Sequence, residues 1–182
     1  MKSAAKERLI VIGNGMAGAA SVDEIVKLDP LRYAITVYGA EKSADYNRVL
    51  LSHILTGDKD LNAIRMRDAA WYEKNGVALH TGSKIVSIKR KSRVLVAEDG
   101  TEATYNKLVI ATGALPVMPD IPGIDKKGVT AFRNIEDCER IKRAVSSAPD
   151  KKVVVIGGGL LGLEAAYALK RMGAEVTVIH LA

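Results

Sequence analysis

Arg8-Leu9-Ile10-Val11-Ile12-Gly13-Asn14-Gly15-Met16-Ala17-Gly18 and Lys152-Val153-Val154-Val155-Ile156-Gly157-Gly158-Gly159-Leu160-Leu161-Gly162 are two copies of one pattern, the second lying 144 positions after the first. Each copy opens on a short apolar run rich in β-branched residues, turns through three glycines spaced Gly-x-Gly-x-x-Gly, and continues into a helix-forming stretch. A second apolar run follows in both. It is Ile35-Thr36-Val37-Tyr38 in the first copy and, after a connection three residues shorter, Val176-Thr177-Val178-Ile179 in the second. Strand, glycine turn, helix, strand is the βαβ unit, and its recurrence organises the whole chain. Continuous β-branched runs predict parallel strands covered on both faces. The first helix is predicted from Met16 to about Leu28, with Pro30 as its stop. The second runs from about Leu160 to Met172, and Gly173 is suited to close it.

Outward from the copies, Ile85-Val86-Ser87-Ile88, Val94-Leu95-Val96-Ala97 and Lys107 to Ala111 read as strands, with the turn Glu98-Asp99-Gly100 separating the last two. They predict a small antiparallel meander feeding a final buried strand, Leu108-Val109-Ile110. Pro116 to Gly128 is rich in proline and glycine and reads as an interdomain connection. Ile135 to Val145 reads as a helix opening a second domain. The expected fold class is α/β: a Rossmann-like fold with a parallel sheet and a small antiparallel meander. Residues 1–114 form the first domain, and 115–182 form a second whose βαβ unit is incomplete.

The glycine spacing has a mechanical meaning. Gly13 permits the tight turn out of the strand, Gly15 lets the backbone approach a pyrophosphate, and Gly18 lets the helix pack on the sheet. The loop backbone of Asn14, Met16 and Ala17 then surrounds the anion at the positive end of the helix. Gly157, Gly159 and Gly162, with Leu160 and Leu161 between them, repeat the arrangement. Two dinucleotide sites in one chain call for a donor and an acceptor, and FAD with NAD(P) is the common pairing. The fingerprint also asks for a carboxylate at the end of the second strand, for the ribose hydroxyls. Gly39 and His180 stand there instead. Glu41, two residues beyond Gly39, takes that role in the first copy; the competing reading is an ordinary surface glutamate.

Composition narrows the alternatives. With 48% hydrophobic and 26% charged residues the chain can bury a core. Aromatics, at 4%, are too few for a protein that grips bases or sugars by stacking. The net charge is +6. Its densest basic run, Lys84 to Arg93, sits between strand-like stretches without interleaved aromatics, so it reads as an exposed hairpin turn and not as a nucleic-acid surface. No apolar stretch approaches the ~18 residues needed to span a bilayer. Cys138 is the single cysteine, so no dithiol can form within the chain, and a cytoplasmic location is compatible with that. His53, His80 and His180 are scattered and read as structural. With Cys138 they make no cluster for iron, sirohaem or zinc.

The paired glycine loops resemble those of the pyridine nucleotide–disulfide oxidoreductase superfamily. So do Thr104, the apolar strand ending Ala111-Thr112-Gly113, and Gly157-Gly158-Gly159-x-x-Gly162-x-Glu164. The resemblance covers nearly the whole chain. It implies that Ala111, Thr112 and Gly113 close the FAD domain near the pyrophosphate and flavin. Tyr46-Asn47-Arg48-Val49-Leu50-Leu51-Ser52 and Val178-Ile179-His180-Leu181 are similar to the N-terminal region of the NAD(P)H nitrite reductase large subunits, with rubredoxin and ferredoxin reductases as near relatives. By this resemblance Arg48 lies near the FAD phosphates and the Val86 backbone touches the adenine ring. His53 stands where ferredoxin reductases place a lysine beside the flavin.

The resemblance implies an FAD-dependent oxidoreductase module that takes electrons from NAD(P)H. Without a cysteine pair they leave the flavin directly, toward a redox acceptor domain or a small electron carrier. The cofactors carry the chemistry, so no catalytic acid or base is assigned. Two alternatives stand beside this reading: a free-standing rubredoxin or ferredoxin reductase, and a truncated, non-catalytic nucleotide-binding piece. The family's FAD domain closes after its NAD(P) domain, so the chain reads as part of a longer protein. An open sheet edge makes a homo-oligomer a further expectation.

Overall fold

The computed structural model describes residues 6–181; the extreme ends of the two sequence-drawn domains, residues 1–5 and Ala182, lie outside the described residues. The chain divides into two compact units. One contains the described residues up to Tyr46 together with Arg65–Ala114. The other contains Asn47–Ile64 and residues 115–181. Residues 47–64 group with the C-terminal unit and not with their flanking segments.

The first unit is built on a parallel sheet of four strands: β1 (Glu7–Ile12), β2 (Tyr33–Tyr38), β3 (Ala78–His80) and, later in the chain, β7 (Lys107–Ile110). The spatial order is β3-β2-β1-β7. Helix α1 (Met16–Leu28) connects β1 to β2. Strand β1 is central and loses water on both faces. Because successive residues point to opposite sides, Leu9 and Val11 join Val22 of α1 and Ile35 and Val37 of β2 in one core. Ile10 and Ile12 join Tyr38 and Leu95 in another. Val11, Val22 and Val37 are fully enclosed, and each such side chain contributes about 1.5–3 kcal/mol.

Leu95 belongs to the antiparallel meander β4 (Ile85–Lys89), β5 (Val94–Ala97), β6 (Glu102–Thr104), in that spatial order. The turn at Glu98-Asp99-Gly100 therefore leads into β6, a strand of three residues that the sequence reading passes over, and not directly into β7. The basic run Lys84 to Arg93, read as an exposed turn, takes in strand β4 as well; residues 90–93 make the exposed turn to β5, and Lys84 and Lys89 are paired to Glu98 and Glu102. One expectation is corrected. The strand Leu108-Val109-Ile110 is only half-buried, and Ile110 is 61% exposed, because β7 is an edge strand with a neighbour on one side alone.

The second unit holds the other copy: β8 (Lys152–Ile156), α6 (Leu160–Arg171) and β9 (Glu175–Ile179), the two strands pairing in parallel. Helix α5 (Ile135–Ser147) precedes it, and α2 (Leu51–Thr56) packs with these helices. Leu55, Val145, Ala168 and Leu169 form their shared core, with Val153 and Val155 against it. Here the expectation of strands covered on both faces fails. Val154 and Ile156 are 57% and 56% exposed, since β8 has helices on one face only. A 3-10 turn at Arg48–Leu50 and two short helices, α3 (Leu61–Ile64) and α4 (Ala69–Lys74), are the remaining elements of the described residues.

Candidate functional site

At the first glycine loop three strand ends converge. Gly13 leaves β1 with φ +110°, a conformation L side chains rarely adopt. Its N–H donates to Tyr38 O at the end of β2 (2.8 Å), while Ala111 N–H, just past β7, donates to Ile12 O (2.7 Å). A Cβ on Gly13 would lie 2.1 Å from Ala111 O. Helix α1 then starts from Gly15 with no side-chain cap and no acidic residue in its first turn. Its orphan N–H groups face the carboxyl edge of the sheet, where ligands of such folds bind. Gly18 is required by packing, since a Cβ there would meet Gly13 O at 2.0 Å. Met16 and Ala17 are exposed on the loop, as are Thr112 and Gly113 beyond β7.

The second loop repeats the first. Gly157 has φ +116° and donates to Ile179 O (2.8 Å). Gly159 starts α6 with neither a side-chain cap nor an acidic first turn, and a Cβ on Gly162 would meet Gly157 O at 1.8 Å. Leu160, Leu161 and Glu164 are exposed. Helix α5 shows that this chain caps helices where nothing else is needed. Asn134 and Asp137 form a full capping box, and Glu136 and Asp137 sit in the first turn. Among the three long helices of the described residues, α1 and α6 at the glycine loops are the ones whose starts are left open to an external anion. The dinucleotides expected from the sequence fit them: a phosphate supplies the missing acceptors, and glycine keeps the approach clear.

The second position of each loop trades bulk with the end of the second strand. A Cβ on Gly39 would lie 3.0 Å from Asn14 Cβ, and a Cβ on Gly158 would lie 3.0 Å from His180 Cβ. In the second copy the His180 ring accepts the Gly158 N–H at Nδ1 (3.2 Å). In the first, Asn14 reaches a buried network. Tyr72 Oη lies 2.9 Å from Asn14 Oδ1 and 3.3 Å from Asp45 Oδ1. Arg67 bridges Asp45 Oδ2 (2.7 Å) and Asp23 Oδ2 (3.1 Å). Asp45 is fully buried. Burial, with the Asp45 carboxylate beside it, holds the Tyr72 phenol well above its usual range, so it remains a donor. The hydrogen bond to Lys27, and then the bond to Arg67, holds Asp23 below the usual carboxylate range. Among the described residues, Asn14 Nδ2 is the buried side-chain polar atom with no hydrogen-bond partner.

Of the other residues picked out by sequence, Glu41 accepts a short hydrogen bond from the Tyr46 hydroxyl (2.6 Å), which fixes its carboxylate near the end of β2. Val86 is the extra residue of a β-bulge: Ile85 pairs with Ala97 and Ser87 with Val96, so the Val86 backbone stands outside the ladder. Arg48 belongs to the second unit, where it donates to Arg133 O (3.0 Å). Cys138 is fully buried, and burial pushes its thiol up to about 11, an inert environment. His80 stacks on Tyr38 at 4.8 Å, and His53 lies beside Asp58. Tyr72, Asp45 and Arg67 were not legible as site residues. They are brought to Asn14 by contacts spanning as many as 58 positions, and no local pattern announces them.

A family model described as pyridine nucleotide-disulphide oxidoreductase matches residues 7–182. An NAD(P)H nitrite reductase of Bacillus subtilis (strain 168) is 44% identical over 177 residues, covering 97% of this chain and 22% of the relative. An assimilatory nitrate reductase electron transfer subunit of the same organism is 41% identical, covering 96% and 22%. The chain therefore spans about a fifth of the length of these curated relatives. Among solved structures, a ferredoxin reductase from Rhodopseudomonas palustris superposes with a TM-score of 0.87 at 30% identity, covering 97% of this chain and 43% of that one.

Proposed function

The chain belongs to the pyridine nucleotide-disulphide oxidoreductase family, and we propose that it works as an FAD-dependent electron-transfer module, taking electrons from NAD(P)H and passing them through FAD to a downstream acceptor. The observation that carries this reading is the pair of bare, glycine-led helix starts at the ends of two parallel βαβ units. Each suits the pyrophosphate of one dinucleotide.

We assign FAD to the first loop. Gly13, Asn14, Gly15, Met16, Ala17 and Gly18 surround its pyrophosphate, and Glu41, fixed by Tyr46, accepts from the ribose hydroxyls. The bulged Val86 backbone meets the adenine. Ala111, Thr112 and Gly113 close the site. NAD(P) goes to Gly157, Gly159, Leu160, Leu161 and Gly162, with Glu164 on the same helix. When bound, FAD supplies the redox chemistry. The chain's part is to bind and orient: backbone N–H groups neutralise the phosphates, and the exposed loop residues leave room for the nucleotide.

The names of the relatives favour another redox protein, or a further domain of the same polypeptide, as the acceptor; a ferredoxin or rubredoxin reductase activity is the runner-up. Among the described residues no helix is long and apolar enough to cross a membrane, and we place the module in the cytoplasm. The test is to load the purified chain with FAD, remove oxygen, and mix it with NADH or NADPH in a stopped-flow spectrometer. Loss of the flavin absorption with either nucleotide is expected. A loaded chain that neither bleaches overturns the electron-transfer reading and leaves a nucleotide-binding module.

A further inference from the structure

Asn14 is held at a cost. Its Nδ2 is enclosed without an acceptor, and a buried donor left unsatisfied opposes folding. An apolar residue would carry no such penalty. The compensation lies on the other side of the amide, where Oδ1 meets the Tyr72 hydroxyl at 2.9 Å. Tyr72 is itself 2% exposed and fixed from behind by Asp45, which Arg67 holds in place. Arg67 also bonds Asp23 on α1 and lies over the Trp71 ring at 5.3 Å. One end of this chain of contacts thus grips the helix that follows the loop, and the other grips the loop's second residue. In the second copy the equivalent Gly158 N–H donates to the His180 ring.

We propose that Tyr72, backed by the Asp45–Arg67 pair, is a positioning residue: through Asn14 it fixes the backbone of the first glycine loop in the shape that receives the dinucleotide pyrophosphate. The inference rests on the assignment of FAD to this loop. Tyr72 acts without touching the ligand. It acts by removing the freedom of the Gly13–Gly15 turn, so that the N–H groups are aimed before the anion arrives and little ordering is left to oppose binding.

The test is a double-mutant cycle on the full chain. The two substitutions are Y72F and N14A, and the probe is FAD, followed by flavin fluorescence, with ADP as a second probe lacking the flavin. Each single variant is expected to weaken FAD and ADP alike by about fivefold, the value of one neutral hydrogen bond. The double variant should be no weaker than N14A alone. Unfolding by urea without nucleotide is the second readout. N14A removes an unsatisfied nitrogen together with a hydrogen bond, so its midpoint should stay close to wild type while its affinity falls. A purely structural role predicts the opposite, a lowered midpoint with unchanged affinity per folded molecule. Wild-type affinity in N14A, or losses that add in the double variant, overturns the inference even if Y72F fails to fold. A wild-type chain that binds neither FAD nor ADP overturns the site assignment and this inference with it. A wild type that binds and a Y72F that binds equally well overturns this inference alone.

Discussion

The two βαβ units share a backbone and differ in their surroundings. Gly13 and Gly157 have closely similar positive φ and donate to the equivalent place at the end of the second strand. Gly18 and Gly162 are forbidden a side chain by the same carbonyl. Yet a Cβ on Gly13 would strike Ala111 O at 2.1 Å, while one on Gly157 would meet nothing within 4 Å. The third strand end makes the difference. In the first unit β7 and the meander close around β1; in the second, β8 pairs with β9 alone. Within this chain the two loops show two separate requirements. The turn demands glycine in both copies, and crowding demands it again in one.

Removing a polar anchor should separate the copies most. D45A strips the buried one of Arg67's two carboxylate partners, together with the Tyr72 contact, and is expected to cost about 3–5 kcal/mol. H180A, losing one bond at the surface, should cost no more than about 1.5 kcal/mol. Urea unfolding followed by tryptophan fluorescence (Trp71 lies in the first unit) and by circular dichroism reports on each. Equal costs would erase the distinction.

Apolar truncation sharpens the same contrast. I12A at a 6% exposed position is expected to cost about 2–5 kcal/mol. The equivalent I156A, at a 56% exposed position, should stay within about 1 kcal/mol. Next comes the turn. G157A should cost about 1–3 kcal/mol from backbone strain alone, and G13A should exceed it by about 2 kcal/mol, because the Ala111 carbonyl must also move. Thermal or urea midpoints that match would mean that β7 yields easily.

The smallest effect is one of pH. The Cys138 thiol is raised from its ordinary 9.0 to about 11 by burial. As pH rises past the ordinary value the unfolded chain loses this proton first, so the folded state binds more protons and stability falls across that window. C138A should flatten the decline in urea midpoint between those two values. An unchanged slope would assign the decline to other groups.

The repeat, the glycine turns and the long helices were legible in sequence because their signals are local: periodicity, β-branching and spacing. Strands β3 and β6, of three residues each, are too short to show alternation, and the short helices α2, α3 and α4 are too brief for a helical stripe. The exposure of Val154 and Ile156 was hidden for another reason. A run of valines looks the same whether one face or two are covered, and only the number of neighbouring strands decides. The network behind Asn14 escaped because Asp45, Arg67 and Tyr72 read singly as ordinary polar residues. Burial gives them meaning, and burial is a property of the fold.

The exchange of bulk between the glycine loop and the second strand's end has a consequence for how such loops can change. Asn14 stands over Gly39, and His180 over Gly158. A side chain added at either glycine alone meets its neighbour's Cβ at 3.0 Å, so each pair behaves as one heritable character and not as two. A route from the first state to the second passes through either a doubly crowded or a doubly empty intermediate. The empty one, with glycine at both places, is the passable step, because it costs only backbone entropy. Drift at these loops is thus expected to run through paired glycines, and related chains should carry bulk at one member of the pair or at neither.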